Sequence, residues 1–147
     1  MNDLIIPALT QAGIIIIELL VGFGLFWVGQ FAYQKVFRRQ MELNLELFVK
    51  DNPAVAIALV GYYFGIVIGL GSVLGQSSIN WQDKAINLVT YGATVILFML
   101  AGAWVGDKFI LRRFNAEREI IQDRNMGAGL IEAFAYISAS FLIAWCF

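Results

Sequence analysis

The chain has 147 residues and a net charge of −1, is 60% hydrophobic and 14% charged, and has a mean hydropathy of +0.74. A soluble domain of that size could not hide so much apolar surface, and no basic excess points to nucleic acid. With no His and a single Cys, Cys146, the sequence offers no His-based metal or acid–base centre, no internal disulfide and no Cys-rich metal site.

The first predicted helix covers residues 8–33, apolar except for Thr10, Gln11, Glu18 and Gln30. Its roughly 39 Å of rise exceeds a hydrocarbon core of about 30 Å. Pro7 suits a first helical turn, and Trp27, Phe31 and Tyr33 suit an interfacial belt at the far end. No basic segment precedes the apolar run, so the start does not read as a cleaved leader.

A connector from Gln34 to Asp51 mixes Lys35, Arg38, Arg39 and Lys50 with Glu42, Glu46 and Asp51. The run from Glu42 to Leu47 alternates with period two, a strand-like signal. An isolated strand at a membrane surface would have unpaired edges, so a helix overhang with a bend is expected, against a solvated loop.

Asn52 as N-cap and Pro53 at the first helical position start the second helix, which runs to about Gly75. Gly61, Gly65 and Gly69 recur every fourth residue and make a groove for close helix approach. A polar stretch from Gln76 to Lys84 leads to a third helix predicted over 85–111, with Asn87, Thr90 and Thr94 in its first half and the small pair Gly102 and Gly106. A second mixed-charge connector spans Arg112 to Arg124, and Asn125 caps a fourth helix from about Met126 onward.

A shift of 73 positions carries Lys35 onto Lys108, Arg39 onto Arg112, Glu46 onto Glu119, Asn52 onto Asn125 and Tyr63 onto Tyr136. Residues 1–75 and 76–147 therefore read as two copies of one helical hairpin. The predicted fold is all-α: a polytopic membrane protein with four transmembrane helices as two parallel hairpin repeats. Of the ten Lys and Arg residues, four lie between Lys35 and Lys50 and five between Lys108 and Arg124, and Lys84 alone lies on the other side. The positive-inside rule places both connectors in the cytoplasm and both termini outside.

Glu18 and Glu132 interrupt apolar runs. An acidic side chain at mid-membrane costs on the order of 2.5–3.5 kcal/mol on insertion scales and often marks an ion or proton path. The bland reading is structural: a hydrogen bond across helices to Asn87, Thr90 or Ser138. In the 73-residue alignment Glu18 falls on Tyr91 and Glu132 on Leu59, so neither acid is repeated. No phosphate-binding loop, nucleophile–base set or metal quartet is present in the sequence, so neither an enzyme nor a cofactor is expected.

The Asp51-Asn52-Pro53-Ala54-Val55-Ala56 segment, the Gly61-to-Gly71 helix after it and the two-hairpin plan resemble the YjfL-like bacterial inner-membrane family, whose domain is known as domain of unknown function 350. The second half departs from that pattern, since Arg124-Asn125-Met126-Gly127 lacks the proline. The resemblance implies an accessory inner-membrane component, with a flotillin-like membrane protein among the partners it suggests. The leading expectation is a non-enzymatic scaffold or assembly subunit that contacts lipid and forms a homo-oligomer or joins a membrane partner. The alternative is an oligomeric ion channel or small transporter using Glu18.

Overall fold

The computed structural model describes residues 2–37, 42–74, 81–105, 108 and 115–146. Among these there is helix and no strand. Four helices are long and apolar enough to cross a bilayer: α1 (Asn2–Ala32), α2 (Pro53–Leu74), α3 (Trp81–Val105) and α5 (Met126–Cys146). Between α3 and α5 lies a short helix, α4 (Ala116–Ile121).

α1 starts at Asn2, so Pro7 sits in its second turn rather than its first. A residue there would ordinarily donate to the carbonyl four positions earlier, so Pro7 removes one intrahelical hydrogen bond, close to the helix start where few turns depend on it. α3 starts at Trp81, four residues ahead of the expected start, and takes Gln82, Asp83 and Lys84 into its first turn. An acidic residue in a first turn complements the helix dipole, which offsets the polarity of this stretch. The period-two stretch is helical: Leu45–Val49 forms a wide π-type turn with Leu43 and Glu46 buried. A solvated loop is excluded there, and the strand-like alternation carries no structural meaning.

α2 is the centre of the bundle and packs most extensively on α5. The two run in the same direction, with Gly61 against Ala133, Gly65 against Tyr136 and Gly69 against Ser140. A methyl group at Gly61 would overlap the Ala133 backbone, and one at Gly69 would meet Val95 Cγ2 at 2.5 Å. The Ser140 hydroxyl donates to the Gly65 carbonyl, a bond that the bare glycine backbone makes reachable. In lipid such contact replaces hydrocarbon tails with a closer-fitting surface. The glycine stripe is thus filled within one chain.

α1 and α3 also run parallel to each other, with Glu18 beside Lys84 and Leu25 against Gly92. α3 lies antiparallel to α2, through Val95 at Gly69 and Met99 at Gly65. Gly102 meets Ala139 at an ordinary 3.4 Å, a looser contact than the α2 glycines make. Gly106 lies outside the described residues. α1 is the least buried of the four and presents Leu9, Ile15, Ile16, Leu19, Leu20, Phe23, Trp27 and Phe31 outward. That inverted surface, apolar outside as well as inside, is what a bilayer solvent permits.

Candidate functional site

Chemistry concentrates in three places: the ends of α2 and α5 that receive the connectors, a tyrosine cluster just inside them, and an ion pair toward the opposite end.

At the connector end the same local structure occurs twice. The Asn52 N–H donates to the Glu46 carbonyl at 2.9 Å, and the Asn125 N–H donates to the Glu119 carbonyl at 2.9 Å. The Asn52 side-chain oxygen accepts from the N–H groups of Ala54 (3.1 Å) and Val55 (3.4 Å), and the Asn125 oxygen from those of Gly127 (2.9 Å) and Ala128 (3.4 Å). Each amide nitrogen then donates back to a carboxylate, Asn52 to Glu46 Oε2 at 3.2 Å and Asn125 to Glu119 Oε2 at 3.0 Å. The residues before the caps, Asp51 (φ 48°) and Arg124 (φ 50°), are both left-handed, which reverses the chain into the next helix. Asn caps thus satisfy the first amides of α2 and α5, with Pro53 replacing one of those amides in α2 alone.

The two ends are not equivalent in burial. Asn52 is buried, and its amide also donates across to the carbonyls of Ile120 (3.0 Å) and Ile121 (3.3 Å) at the C-terminal end of α4. It therefore ties the first connector to the second, whereas Asn125 is exposed. Glu46 is buried as well and receives Lys50 Nζ at 2.6 Å. Burial pushes its carboxyl upward, but hydrogen bonds from Lys50 and Asn52, with the charges of Lys50 and Arg124, outweigh it and hold the group below the ordinary carboxylate value. A depressed folded pKa contributes stability that is complete above the unfolded value and is lost as pH falls through the folded one. Acidification below the ordinary carboxylate range should therefore loosen the connector turn, read as a lower protection of the Asn52 amide relative to its intrinsic exchange rate, and Glu46→Gln should remove that loss of protection.

Two substitutions rank the caps. Asn125→Ala should cost about 1 kcal/mol, an ordinary N-cap loss. Asn52→Ala should cost about 2–3 kcal/mol, since it also strands buried carbonyls and one face of the Glu46 carboxylate. Thermal melts of the two variants in one detergent test the ranking, and equal losses would mean that the link to α4 contributes nothing.

Tyr33, Tyr62 and Tyr136 are fully buried and meet one another just inside this end. Ring centroids lie 4.9 Å apart for Tyr33 and Tyr62, 5.2 Å for Tyr62 and Tyr136, and 6.2 Å for Tyr33 and Tyr136. The Tyr62 hydroxyl donates to the Gly29 carbonyl at 2.8 Å, and the Tyr136 hydroxyl donates to Glu132 Oε1 at 2.7 Å. Glu132 thus accepts from its own helix one turn on. The cluster was missed from sequence. The repeat alignment points to Tyr63 as the match of Tyr136, but Tyr63 stacks on Phe26 at 4.7 Å while its neighbour Tyr62 faces the core. The signal was present as a tyrosine about three turns after each Asn cap, without the helix phase needed to choose between adjacent tyrosines.

Glu18 does not bond to Asn87, Thr90 or Ser138. Its Oε1 lies 2.6 Å from Lys84 Nζ, with side chains 15% and 18% exposed. Asn87 and Ser138 are exposed, and the Thr90 hydroxyl donates to Ile86 of its own helix. The reason for the difference is the early start of α3, which lifts Lys84 out of the expected loop and places it on the helix beside α1. A full charge then outcompetes any neutral donor for a carboxylate in a weakly polar site.

Of the connector residues singled out by sequence, Glu46 and Glu119 belong to the two capped turns. Lys35 is exposed just past α1, and Lys108 lies over the Trp104 ring at 4.7 Å. Arg39 and Arg112 lie outside the described residues. No group of three or more metal-ligating side chains occurs among the described residues.

A UPF0719 transmembrane protein of Aquifex aeolicus (strain VF5) is 27% identical over 125 residues, which are 84% of this chain and 44% of that relative. The chain thus spans less than half the length of the curated relative it matches. No solved structure matches it significantly. The family described as Domain of Unknown Function (DUF350) matches residues 6–147. With four membrane-crossing helices and a family match over nearly its whole length, the chain is a multi-pass transmembrane protein that belongs to the DUF350 family.

Proposed function

We propose that this protein is a non-enzymatic scaffold or assembly subunit of the bacterial inner membrane, with both connectors in the cytoplasm and both termini outside. The observation that carries the reading is the Asn52 junction, which ties the Glu46 turn of the first connector to the end of α4 beside a tightly packed helix pair. That end of the molecule exposes Arg118, Gln122, Asp123 and Arg124, charged and polar groups available to a membrane-protein partner, a flotillin-like one included. Gly61, Gly65 and Gly69 are used inside the protomer, so assembly with further copies would use the outward faces, of which that of α1 is the least covered.

The channel reading is the weaker one. Glu18 is balanced by Lys84 and Glu132 is held by Tyr136, while Leu25, Ile66, Leu70, Ile96 and Met99 fill the described core between them. Proteoliposomes of the wild-type protein should pass monovalent cations and protons no faster than empty vesicles. A flux abolished by Glu18→Gln would replace the scaffold with an oligomeric channel. For orientation, reporter fusions at Leu47 and Phe147 should report opposite sides, Leu47 cytoplasmic, and a cytoplasmic Phe147 fusion would reverse the assignment.

A further inference from the structure

The two capped connectors share their backbone hydrogen bonds and differ in what they show to their surroundings. In the first, the turn Leu45–Val49 has its polarity reversed: Glu46 is turned inward at 3% exposure while Phe48 and Val49 are 79% and 71% exposed. Leu45 adds to the same outward face at 37%. The positions 73 residues later are Arg118, Ile121 and Gln122, of which Arg118 and Gln122 are exposed and Ile121 packs partly against the core. The first connector thus turns an apolar face outward where the second turns a polar one.

An aromatic and a β-branched side chain held out into water beside a buried carboxylate is an arrangement that an aqueous environment disfavours. The depth of the turn offers a different solvent. α2 has 22 residues, about 33 Å of rise against a hydrocarbon core of about 30 Å, so its first turn emerges where headgroups begin. Val49 precedes Pro53 by only four residues, which keeps the turn within the interfacial layer. Further along α2, Val60, Phe64 and Val67 are exposed as well, the outward apolar surface that the hydrocarbon core would cover.

We propose that Leu45–Val49 is an interfacial anchor, with Phe48 and Val49 inserted at the boundary of headgroups and acyl chains, while α4 faces water. Its occupant is the lipid leaflet on the connector side. Apolar side chains on a short helical turn at this depth partition into the interface as those of a surface-lying amphipathic helix do. Lys50 flanks the face with its ammonium on Glu46 and its side chain 43% exposed, a position suited to a headgroup phosphate. This inference needs α2 to span the bilayer and does not need the scaffold reading.

Site-directed spin labels test it. With Cys146→Ser removing the one native thiol, single labels are placed at Phe48→Cys, Val49→Cys and Gln122→Cys, and each protein is reconstituted in phosphatidylcholine–phosphatidylglycerol vesicles. At positions 48 and 49 collisions with lipid-dissolved oxygen should exceed those with a water-soluble nickel chelate several-fold, and the preference should invert at 122. Phe48→Asp should move a label at 49 toward the chelate. Equal chelate access at 48, 49 and 122 would overturn the proposal by placing the turn in water. An immobile label shielded from both reagents at 48 would overturn it in favour of a second copy or another protein covering this face.

Discussion

Gly61→Leu should abolish a stably folded, monodisperse protein, and even Gly61→Ala should lower stability by about 2–3 kcal/mol, the upper range for overpacking. The reason is what stands opposite. A β-carbon at Gly61 would overlap both Cα and Cβ of Ala133, and a backbone cannot swing aside as a side chain can. Gly129→Ala should behave similarly, because its β-carbon would run into the Ala54 carbonyl. At Gly65 the nearest atoms are the Met99 methyl at 2.5 Å and sulfur at 3.1 Å. Methionine adapts its rotamers readily but the Tyr136 carbonyl oxygen, 3.2 Å from the same β-carbon, does not, so Gly65→Ala should cost about 1–2 kcal/mol, less than Gly61→Ala, while Gly65→Leu should part the helices. Gly24→Ala meets nothing within 4 Å and should gain about 0.5–1 kcal/mol from helix propensity alone. Melting the set in one detergent gives the order Gly61→Ala, Gly65→Ala, wild type, Gly24→Ala from least to most stable. A Gly61→Ala protein that melts like wild type would mean that α2 and α5 do not pack through this stripe.

Those glycines also show how far the sequence could be read. Their four-residue spacing marked a packing face, because spacing along a helix is a local property. What the face packs against was not local. The partner helix came only from the assembled bundle, in which Ala133, Tyr136 and Ser140 meet Gly61, Gly65 and Gly69 in turn. The Asn52 and Asn125 caps were legible for the same reason as the spacing: capping acts within three residues of the cap itself. The tie from Asn52 to Ile120 and Ile121 spans 68 and 69 residues and left no trace in the local pattern. The turn at Leu45–Val49 was misleading rather than silent. Alternation of Leu with polar residues signals a strand only where one face meets water and the other a core. Here lipid and protein are both apolar surroundings, so polarity no longer reports which side faces in. The same loss of contrast hid the choice between Tyr62 and Tyr63. It also hid the start of α3, since Gln82, Asp83 and Lys84 look like loop residues until Glu18 supplies a partner for Lys84.

That partner gives the second large expected effect. Lys84→Met should destabilise the protein by about 3 kcal/mol, the low end for breaking a buried ion pair, because it leaves the Glu18 carboxylate desolvated beside α3 with its counter-charge gone. Glu18→Gln should cost less, since the Lys84 ammonium sits in the first turn of α3 and its flexible stem can reach toward the interface. The double variant Glu18→Gln with Lys84→Met should recover most of the loss, for a neutral pair in a weakly polar site avoids both desolvation penalties. The structure makes this a test of how α1 is attached. α1 is the least buried of the membrane-crossing helices, and the ion pair joins the Leu25 contact at Gly92 and the Tyr62 bond to Gly29 in tying it to the bundle. Lys84→Met should therefore loosen α1 in particular, seen as faster proteolysis near the N-terminus in detergent with α2, α3 and α5 still protected. Double-mutant-cycle melts separate the pair from its surroundings. A coupling energy near zero, with the two single losses simply adding, would show that Glu18 and Lys84 do not meet in the folded protein and that hydrophobic contact alone holds α1 in place.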